Sequence, residues 1–312
     1  MPTLKELSIL YAKKQPQQVD NITEDTPILR MLPFDEASHD LWNVYEEVED
    51  VTGPGFVDLD AELSEMSVKS KLQKKDLSIM GGKASCGEDK AQMMGGAPRY
   101  FSRQEPVLLS KAGVTTEFAI IYNNIRAFAI AGSTKIDAGG SSNKNHCLLA
   151  VRFKKGIVGG LYSPKGFKNG AMLDVKAVNG GSLMEFEVTR NGSKVKIFGY
   201  MVRYKGYFGF QIASSRNVSG IFNIDRVSTT QKLPTAMQID DLLANVRADN
   251  SNTYLFCHPK LKPVLKSVKN TAYGITTKNV NDNTGIIERW DDVPIVSSYN
   301  FLDGIETNVS FT

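Results

Sequence analysis

One acidic segment limits how this chain can fold more than any other feature of the sequence. Residues 41–66 carry eight carboxylates and no lysine or arginine. The whole chain has a net charge of +3, so the remaining residues together carry a net +11. A segment of this charge favours water or a basic surface, and the rest of the chain has basic charge to offer.

The same segment has the alternation of a β-hairpin. Trp42, Val44 and Val48 share one face of a first strand, because side chains on a strand alternate with a period of two. Gly53-Pro54-Gly55 supplies a turn. A second strand is predicted over residues 57–63, with one apolar face and one acidic face. The apolar residues are Val57, Leu59, Ala61 and Leu63, and the acidic residues are Asp58, Asp60 and Glu62.

A two-stranded ribbon of this kind is only marginally stable in water. Arms of about ten residues reach on the order of 33 Å, so the predicted ribbon needs a surface to lie on. That surface is either its own domain or a basic neighbouring subunit. The Asp-x-Asp-x-Glu pattern of residues 58–62 also allows a calcium site, although the glycine-turned loop of an EF-hand is absent.

The composition is that of a soluble globular protein, with 41% hydrophobic and 23% charged residues. A length of 312 residues predicts two domains or one large composite. The three scattered cysteines are too few for a disulfide framework and are typical of a reducing compartment. No stretch approaches the length of a membrane span, and the N-terminus has no apolar run of signal-peptide length. We therefore expect a protein made in a cytoplasm, which stays there or leaves inside an assembly.

The periodicity of the rest of the chain predicts an α+β fold, because helices and strands are segregated along the sequence. Helices are predicted near 3–13, from about 97 to a stop at Gly113, from a cap at Thr115 or Thr116 onward, over 235–248 with Thr235 as its cap, and over 259–269. Strands are predicted over 146–225 as an antiparallel meander with turns at Asn191-Gly192 and Lys205-Gly206, and then at 252–257, 284–301 and 305–311.

The predicted helix over 259–269 has a basic face. Lys262, Lys266 and Lys269 lie outward at i, i+4 and i+7, opposite an apolar stripe. Such a face is either simply solvated or a candidate docking surface for the acidic ribbon.

The search for catalytic chemistry is negative. The sequence has no GxSxG and no HExxH motif. The glycine-rich stretch of residues 81–88 lacks the Gly-Lys-Ser/Thr of a phosphate loop. His146-Cys147 and Cys257-His258 could converge on zinc, but neighbours on a strand point to opposite faces and no CxxC or HxxxH spacing accompanies them. We therefore expect no enzyme, no catalytic residue, no metal and no cofactor.

Seven strings of residues carry a resemblance to a known family. They are DNITEDTPIL (20–29), LPF (32–34), ASHDLW (37–42), VTGPGFVD (51–58), DLSIMGG (76–82), GEDK (87–90) and DVPIV (292–296). Over nearly its whole length the chain resembles the major capsid proteins of tailed bacteriophages, which have the Hong Kong-type capsid fold. Such strings are more specific than a short motif, because no single chemistry demands them.

The resemblance implies an α+β Hong Kong-type phage capsid fold with four parts. Residues 1–40 would form an N-terminal arm, and residues 41–75 an extended β-hairpin loop that overlaps the adjacent subunit. Residues 76–140 with 250–312 would form the peripheral domain with its spine helix, and residues 141–249 the axial domain. The resemblance thus favours the intermolecular interpretation of the acidic ribbon. The predicted inter-subunit residues are Trp42, Val44, Tyr45, Glu46, Glu47, Glu49, Asp50, Phe56, Asp58, Leu59, Asp60 and Glu62.

The function implied by the resemblance is that of a major capsid protein, a structural subunit. Copies would self-assemble as hexamers and pentamers into an icosahedral phage head that encloses double-stranded DNA, with non-specific contact to the DNA. Further implied partners are portal, scaffolding and decoration proteins, with no membrane. The implied location is the virion, after assembly of a procapsid in the cytoplasm of the bacterial host.

Two other functions remain open at the level of sequence. One is an encapsulin-like compartment of the same fold, which would need a pocket for its cargo. The other is a soluble β-rich ligand-binding module. Its stacking platform would come from Tyr200, Tyr204, Tyr207, Phe208 and Phe210, although strand core is the plainer interpretation of these side chains.

Some members of the resembled fold cross-link a loop lysine to an asparagine of a neighbouring subunit. Residues 41–66 contain no lysine, and Lys69 or Lys71 would act from the base of the loop. We therefore expect no autocatalytic cross-link.

Overall fold

The computed structural model describes residues 25–59, 62–63, 65–164, 173–190, 192–273 and 289–311. The helix predicted near 3–13, and most of the predicted N-terminal arm, lie outside these residues. The part of the arm that is described has a short helix, α1 (Pro27–Met31), and a short strand, β1 (Phe34–Glu36).

A long helix is the central element. Helix α2 (Glu88–Met93) precedes α3 (Ala97–Ala119), which continues through a π-helical segment (Ile120–Arg126) into α4 (Ala127–Ala131). The predicted stop at Gly113 is therefore wrong, and so is the cap at Thr115 or Thr116. The Thr116 hydroxyl donates to the carbonyl of Ala112, four residues back, as it does inside a helix.

Gly113 lies inside this helix. A Cβ at Gly113 would lie 3.5 Å from Cγ2 of Thr26, which is an ordinary van der Waals distance, so packing against Thr26 does not require a glycine here. A glycine stops a helix when the backbone needs a left-handed residue, and here the backbone stays helical.

A first sheet packs beside the long helix. Its order is β1, β7, β10 and β4, and two further strands also pair with β10. Its other members are β4 (Ser78–Gly87), β7 (Val158–Tyr162), β8 (Leu173–Ala177), β9 (Met184–Arg190) and β10 (Ser193–Ile212). The predicted Asn191-Gly192 hairpin joins β9 to β10, and Gly192 has a φ of 81°. The predicted turn at Lys205-Gly206 is wrong, because these residues continue β10 and pair with Gly81 and Met80.

A second sheet lies between the long helix and two shorter helices. Its order is β13-β14-β12-β6-β11-β5. The strands are β5 (Ile136–Asp137), β6 (His146–Arg152), β11 (Val218–Ile224), β12 (Thr253–Cys257), β13 (Arg289–Trp290) and β14 (Val293–Ser297). The flanking helices are α5 (Ala236–Asn245) and α6 (Lys262–Tyr273). Among the described residues, the predicted strand over 305–311 is reduced to one bridge between Glu306 and Asn145.

Alternation along β6 places the core on both faces of the second sheet. Cys147, Leu149 and Val151 pack with Ile121 and Ile125 of the long helix. The other face packs on α5 and α6, through Leu148, Ala150, Ile239, Leu242 and Leu265. Helix α5 starts as predicted, because Thr235 and Gln238 form a capping box.

The extended hairpin is a separate two-stranded sheet. Strand β2 (Trp42–Thr52) pairs antiparallel with β3 (Ser67–Asp76). The second strand predicted over 57–63 is wrong, because its described residues lie in the connection between β2 and β3. The partner of the acidic strand is the lysine-rich stretch, which places Glu47 opposite Lys71 and Asp50 opposite Lys69. Opposite charges across a strand pair favour this register.

Both larger sheets combine strands from the segments predicted as peripheral and axial domains. Strands β12 and β14 come from the segment assigned to the peripheral domain, yet they share a sheet with β6 and β11 of the axial segment. Likewise, β4 of the peripheral segment pairs with β10 of the axial segment. No helix among the described residues is long and apolar enough to span a membrane.

Gly199 makes a testable contribution to the first sheet. A Cβ there would lie 2.1 Å from the carbonyl oxygen of Cys86, so Gly199→Ala has to displace the backbone of β4. We expect the free energy of unfolding to fall by about 1–3 kcal/mol, measured by urea denaturation. Gly82→Ala in β4 is the matched control, because a Cβ at Gly82 meets nothing within 4 Å. Equal stability of the two variants would contradict this role.

Candidate assembly interface

The base of the hairpin is fixed to the body of its own subunit. The Trp42 ring is half-buried, stacks on His39 at 5.0 Å between ring centroids, and has the Lys74 ammonium 4.8 Å from its centroid. The side-chain amide of Asn43 donates to Gln211 at 2.6 Å. Trp42 therefore contacts residues of its own chain, and its role between subunits stays a prediction.

The acidic side chains of β2 contact the basic strand of the same hairpin. Glu47 accepts from Gln73 at 2.7 Å, Asp50 lies 3.5 Å from the ammonium of Lys69, and Glu46 accepts from the hydroxyl of Ser70. Val44 and Tyr45 are half-buried, whereas Glu49 is exposed. The ribbon thus combines an acidic and a basic strand, and its exposed ion pair contributes only about 0–1 kcal/mol.

The far end of the hairpin exposes large apolar side chains. Phe56 and Leu59 are almost fully exposed, and Leu63 is 79% exposed. Apolar positions of the two strands continue this surface, which we call the hairpin patch, and its further members are Val48, Val51, Val57, Met66, Val68 and Leu72. Exposed acids Asp58, Glu62 and Glu65 interrupt the patch, and Asp60 lies outside the described residues. Several large apolar side chains exposed along one extended segment are typical of an interaction site.

A groove on the body is a candidate receptor for the hairpin patch. It lies between β4 and the long helix and has a volume of about 280 Å³. Its lining is mostly apolar, with Met80, Leu108, Leu109 and Ala112, and it includes Lys83 and Lys111. An apolar groove with two cations is complementary to an apolar patch that carries carboxylates.

The predicted basic face of α6 is only partly exposed. Lys262 is half-buried and, with Arg289, lines a second cavity of about 430 Å³, whereas Lys266 is exposed. The Lys269 side chain lies outside the described part of the structure. The two described lysines therefore do not present a uniform basic surface.

A buried carboxylate joins the N-terminal segment, the long helix and the C-terminal segment. Glu117 is fully buried in α3 and accepts from the backbone N–H groups of Ile28 and Leu29 at 3.0 and 3.1 Å. Its other oxygen accepts from the Asn300 amide at 2.9 Å and from the Ser298 hydroxyl. No sequence pattern indicated this network, because its five residues are spread over 273 positions.

A second buried group surrounds Glu306. This carboxylate accepts from the Tyr122 hydroxyl at 2.8 Å and from Arg126 at 3.2 Å. The Cys147 thiol donates to it at 3.1 Å, and burial raises the pKa of this thiol well above its usual value. These contacts hold the C-terminal segment on the long helix, and the raised pKa makes Cys147 an unreactive thiol.

The two Cys/His pairs of the sequence separate in the fold as strand alternation predicts. Cys147 and Cys257 lie in the hydrophobic cores on opposite sides of the second sheet. The rings of His146 and His258 come together, with centroids 5.7 Å apart. Burial lowers the pKa of His146 to about 4, so its ring is neutral at pH 7.

The aromatic side chains of β10 do not form one exposed platform. Phe210 lies in the core beside the long helix, and Tyr204 is buried, while Tyr200, Tyr207 and Phe208 are half-buried. They are therefore positioned as strand core, which argues against the stacking platform of a ligand-binding module.

Comparison with solved structures identifies the fold. A chain from the structure of bacteriophage Epsilon15 is similar over 99% of this chain and 98% of its own length, with a TM-score of 0.58 and 12% sequence identity. A chain of the bacteriophage JBD30 capsid is similar over 93% of this chain and 97% of its own, with a TM-score of 0.50 and 10% identity. The chain has the α+β Hong Kong-type phage capsid fold, as the sequence predicted.

Sequence comparison adds no assignment. No protein-family model matches the chain, and no curated protein matches it.

A third solved structure is also similar to the chain. A chain of the encapsulin complex from Synechococcus elongatus has a TM-score of 0.48 at 11% identity, over 74% of this chain and 98% of its own.

Proposed function

We propose that this chain is the major capsid protein of a tailed bacteriophage. It is a structural subunit that self-assembles as hexamers and pentamers into an icosahedral head around double-stranded DNA. The observation that carries the proposal is the capsid fold over 99% of the chain, together with a hairpin patch that its own body leaves uncovered. The location that follows is the virion, after assembly in the bacterial cytoplasm.

The hairpin patch is proposed to lie on a second copy of the chain. Phe56 and Leu59 have no cover within the described part of their own subunit, so burying them on a neighbour is the main apolar gain of assembly. The acids around them, Asp58 and Glu62, set orientation more than affinity. The groove between β4 and the long helix is the proposed receptor, because it offers an apolar lining together with Lys83 and Lys111.

The proposed partners extend beyond the chain itself. Portal and scaffolding proteins are proposed partners in head assembly, and a decoration protein is a further proposed partner. The net +11 outside residues 41–66 favours non-specific contact with packaged DNA. The proposed parts of the subunit are the arm, the hairpin loop and the peripheral and axial domains, with the long helix as the spine.

Electron microscopy and analytical sedimentation of the purified chain test the proposal. Closed shells or ring-shaped capsomers are expected, from the chain alone or after co-expression with scaffolding protein. Shells filled with a protein cargo and unable to package DNA would replace the proposal with an encapsulin-like compartment. A chain that stays monomeric with its assembly partners present would overturn both.

A further inference from the structure

Three polar side chains from distant parts of the sequence meet at one end of the second sheet. His146 is the first residue of β6, His258 follows the last residue of β12, and Asp303 lies in the C-terminal segment. One ligand-type atom from each of them lies within 4.8 Å of the other two. No function proposed above uses this cluster.

His146 is the unexplained member of the cluster. Its side chain is 1% exposed, and neither ring nitrogen has a hydrogen-bond partner among the residues that the structure describes. Buried polar groups are nearly always paired, because an unpaired group loses its hydration without compensation. A neutral imidazole in this position can donate a lone pair to a metal ion.

We propose that His146, His258 and Asp303 bind one divalent zinc ion. Two imidazole nitrogens and one carboxylate oxygen are a ligand set that suits zinc, with a water molecule at the fourth position of a tetrahedron. Magnesium and calcium prefer all-oxygen sites and fit this set less well. The cluster is independent of the hairpin, so the proposal does not depend on the proposed function.

The geometry requires a small closure of the site. Zinc ligands lie about 2.0–2.2 Å from the metal, so ligand atoms around one ion are roughly 3.4 Å apart. Asp303 can supply the movement, because its side chain is 46% exposed and its Oδ1 already lies 3.9 Å from Nδ1 of His258. Binding at Nδ1 of His258 replaces a hydrogen bond of 3.2 Å from the Lys260 backbone, which is at the long end of the normal range.

Two cationic side chains near the site would repel a bound zinc ion and weaken its binding. The Lys260 ammonium pairs with Oδ2 of Asp303, and Lys260 and Arg226 both lie close enough to influence the histidines. The pair with Lys260 leaves Oδ1 of Asp303 for the metal, although the positive charge weakens binding. Removal of the lysine charge is therefore expected to strengthen binding, which distinguishes a metal site from a histidine pair that only packs.

The bound ion would add a further link to the contacts that already join these three segments. It would tie the start of β6 and the end of β12 to the C-terminal segment, which also carries Asn300 and Glu306. Zinc is therefore expected to stabilise the docked C-terminal segment, and a chelator to loosen it.

Isothermal titration of the full chain with zinc chloride tests the proposal, after removal of metals with a chelator. We expect one ion per chain and a rise in the thermal midpoint. Loss of an outer-shell partner of a metal ligand weakens metal binding by about 10–100-fold. His146→Gln and Asp303→Asn each remove a direct ligand, so each should weaken zinc binding by more than that. Lys260→Gln should strengthen it. Cobalt(II) in place of zinc should give the visible absorption of a tetrahedral site.

His39→Gln is the matched control, because His39 is the remaining histidine of the chain and lies at the hairpin base. This variant should bind zinc like the unmodified chain. The proposal is overturned if the unmodified chain binds no zinc, or if Asp303→Asn binds as tightly as His39→Gln. Asp303 is half-exposed, so its variant is expected to fold even where His146→Gln does not.

Discussion

Replacing Glu117 with leucine is expected to lower the free energy of unfolding by about 3–5 kcal/mol. The substitution leaves the N–H groups of Ile28 and Leu29, the Asn300 amide and the Ser298 hydroxyl without their shared acceptor. Each stranded donor costs about 1–3 kcal/mol in isolation, and relaxation of the two flanking segments reduces the sum. Urea denaturation followed by circular dichroism measures the change.

Two further variants give the prediction its controls. Glu117→Gln keeps the shape but places an NH2 group among four donors, so its loss of stability should be intermediate. Glu105→Leu changes a half-buried glutamate on the same helix that has no comparable network, and its effect should stay within about 1 kcal/mol. If Glu117→Leu also changes the free energy of unfolding by no more than about 1 kcal/mol, the network does not hold the N-terminal and C-terminal segments on the long helix.

Features of the fold that depend on local chemistry were predictable from the sequence. The capping box of Thr235 and Gln238 involves residues three apart, and the Asn-Gly hairpin needs only its own backbone conformation. Both occur where the sequence places them. Segregated helix and strand patterns likewise predicted the α+β class.

Features that depend on distant partners were not predictable. Gly113 has the sequence signature of a helix stop, but the helix continues through it to Ala119. Lys205-Gly206 has the signature of a turn, but pairing with Gly81 and Met80 keeps it in β10. At Lys205-Gly206 a tertiary contact overrides the local preference of the residues.

The hairpin shows the same limit in the choice between two strands. Residues 57–63 alternate as well as the lysine-rich stretch does, so alternation alone could not select the partner of β2. Charge selects it, because β3 brings lysines opposite Glu47 and Asp50, whereas residues 57–63 would bring further acids. The zinc site was only partly predictable from the sequence. Strand alternation allowed one ligand from each Cys/His pair, but no pattern indicated Asp303.

Replacing Phe56 and Leu59 together with serine is expected to prevent shell assembly while leaving the subunit folded. Burial of two such side chains contributes about 3–6 kcal/mol at every inter-subunit contact. Their loss should raise the subunit concentration at which shells form by about 100-fold or more. Sedimentation across a concentration series measures this threshold. Both side chains are almost fully exposed in the subunit, so its urea midpoint should not change.

The controls separate assembly from folding and then locate the receptor. Val227→Ser removes an exposed apolar side chain outside the hairpin, so it should leave the threshold unchanged. Trp42→Ala should instead lower subunit stability, because Trp42 stacks on His39 of its own chain. Normal shells from the double variant would refute the role of the hairpin patch.

If the groove between β4 and the long helix receives that patch, Lys83→Glu with Lys111→Glu should reproduce the assembly defect, whereas Lys262→Glu with Lys266→Glu should not. The reverse outcome would move the docking site to the basic face of α6, because a charge reversal acts only where the acids of the neighbouring hairpin approach.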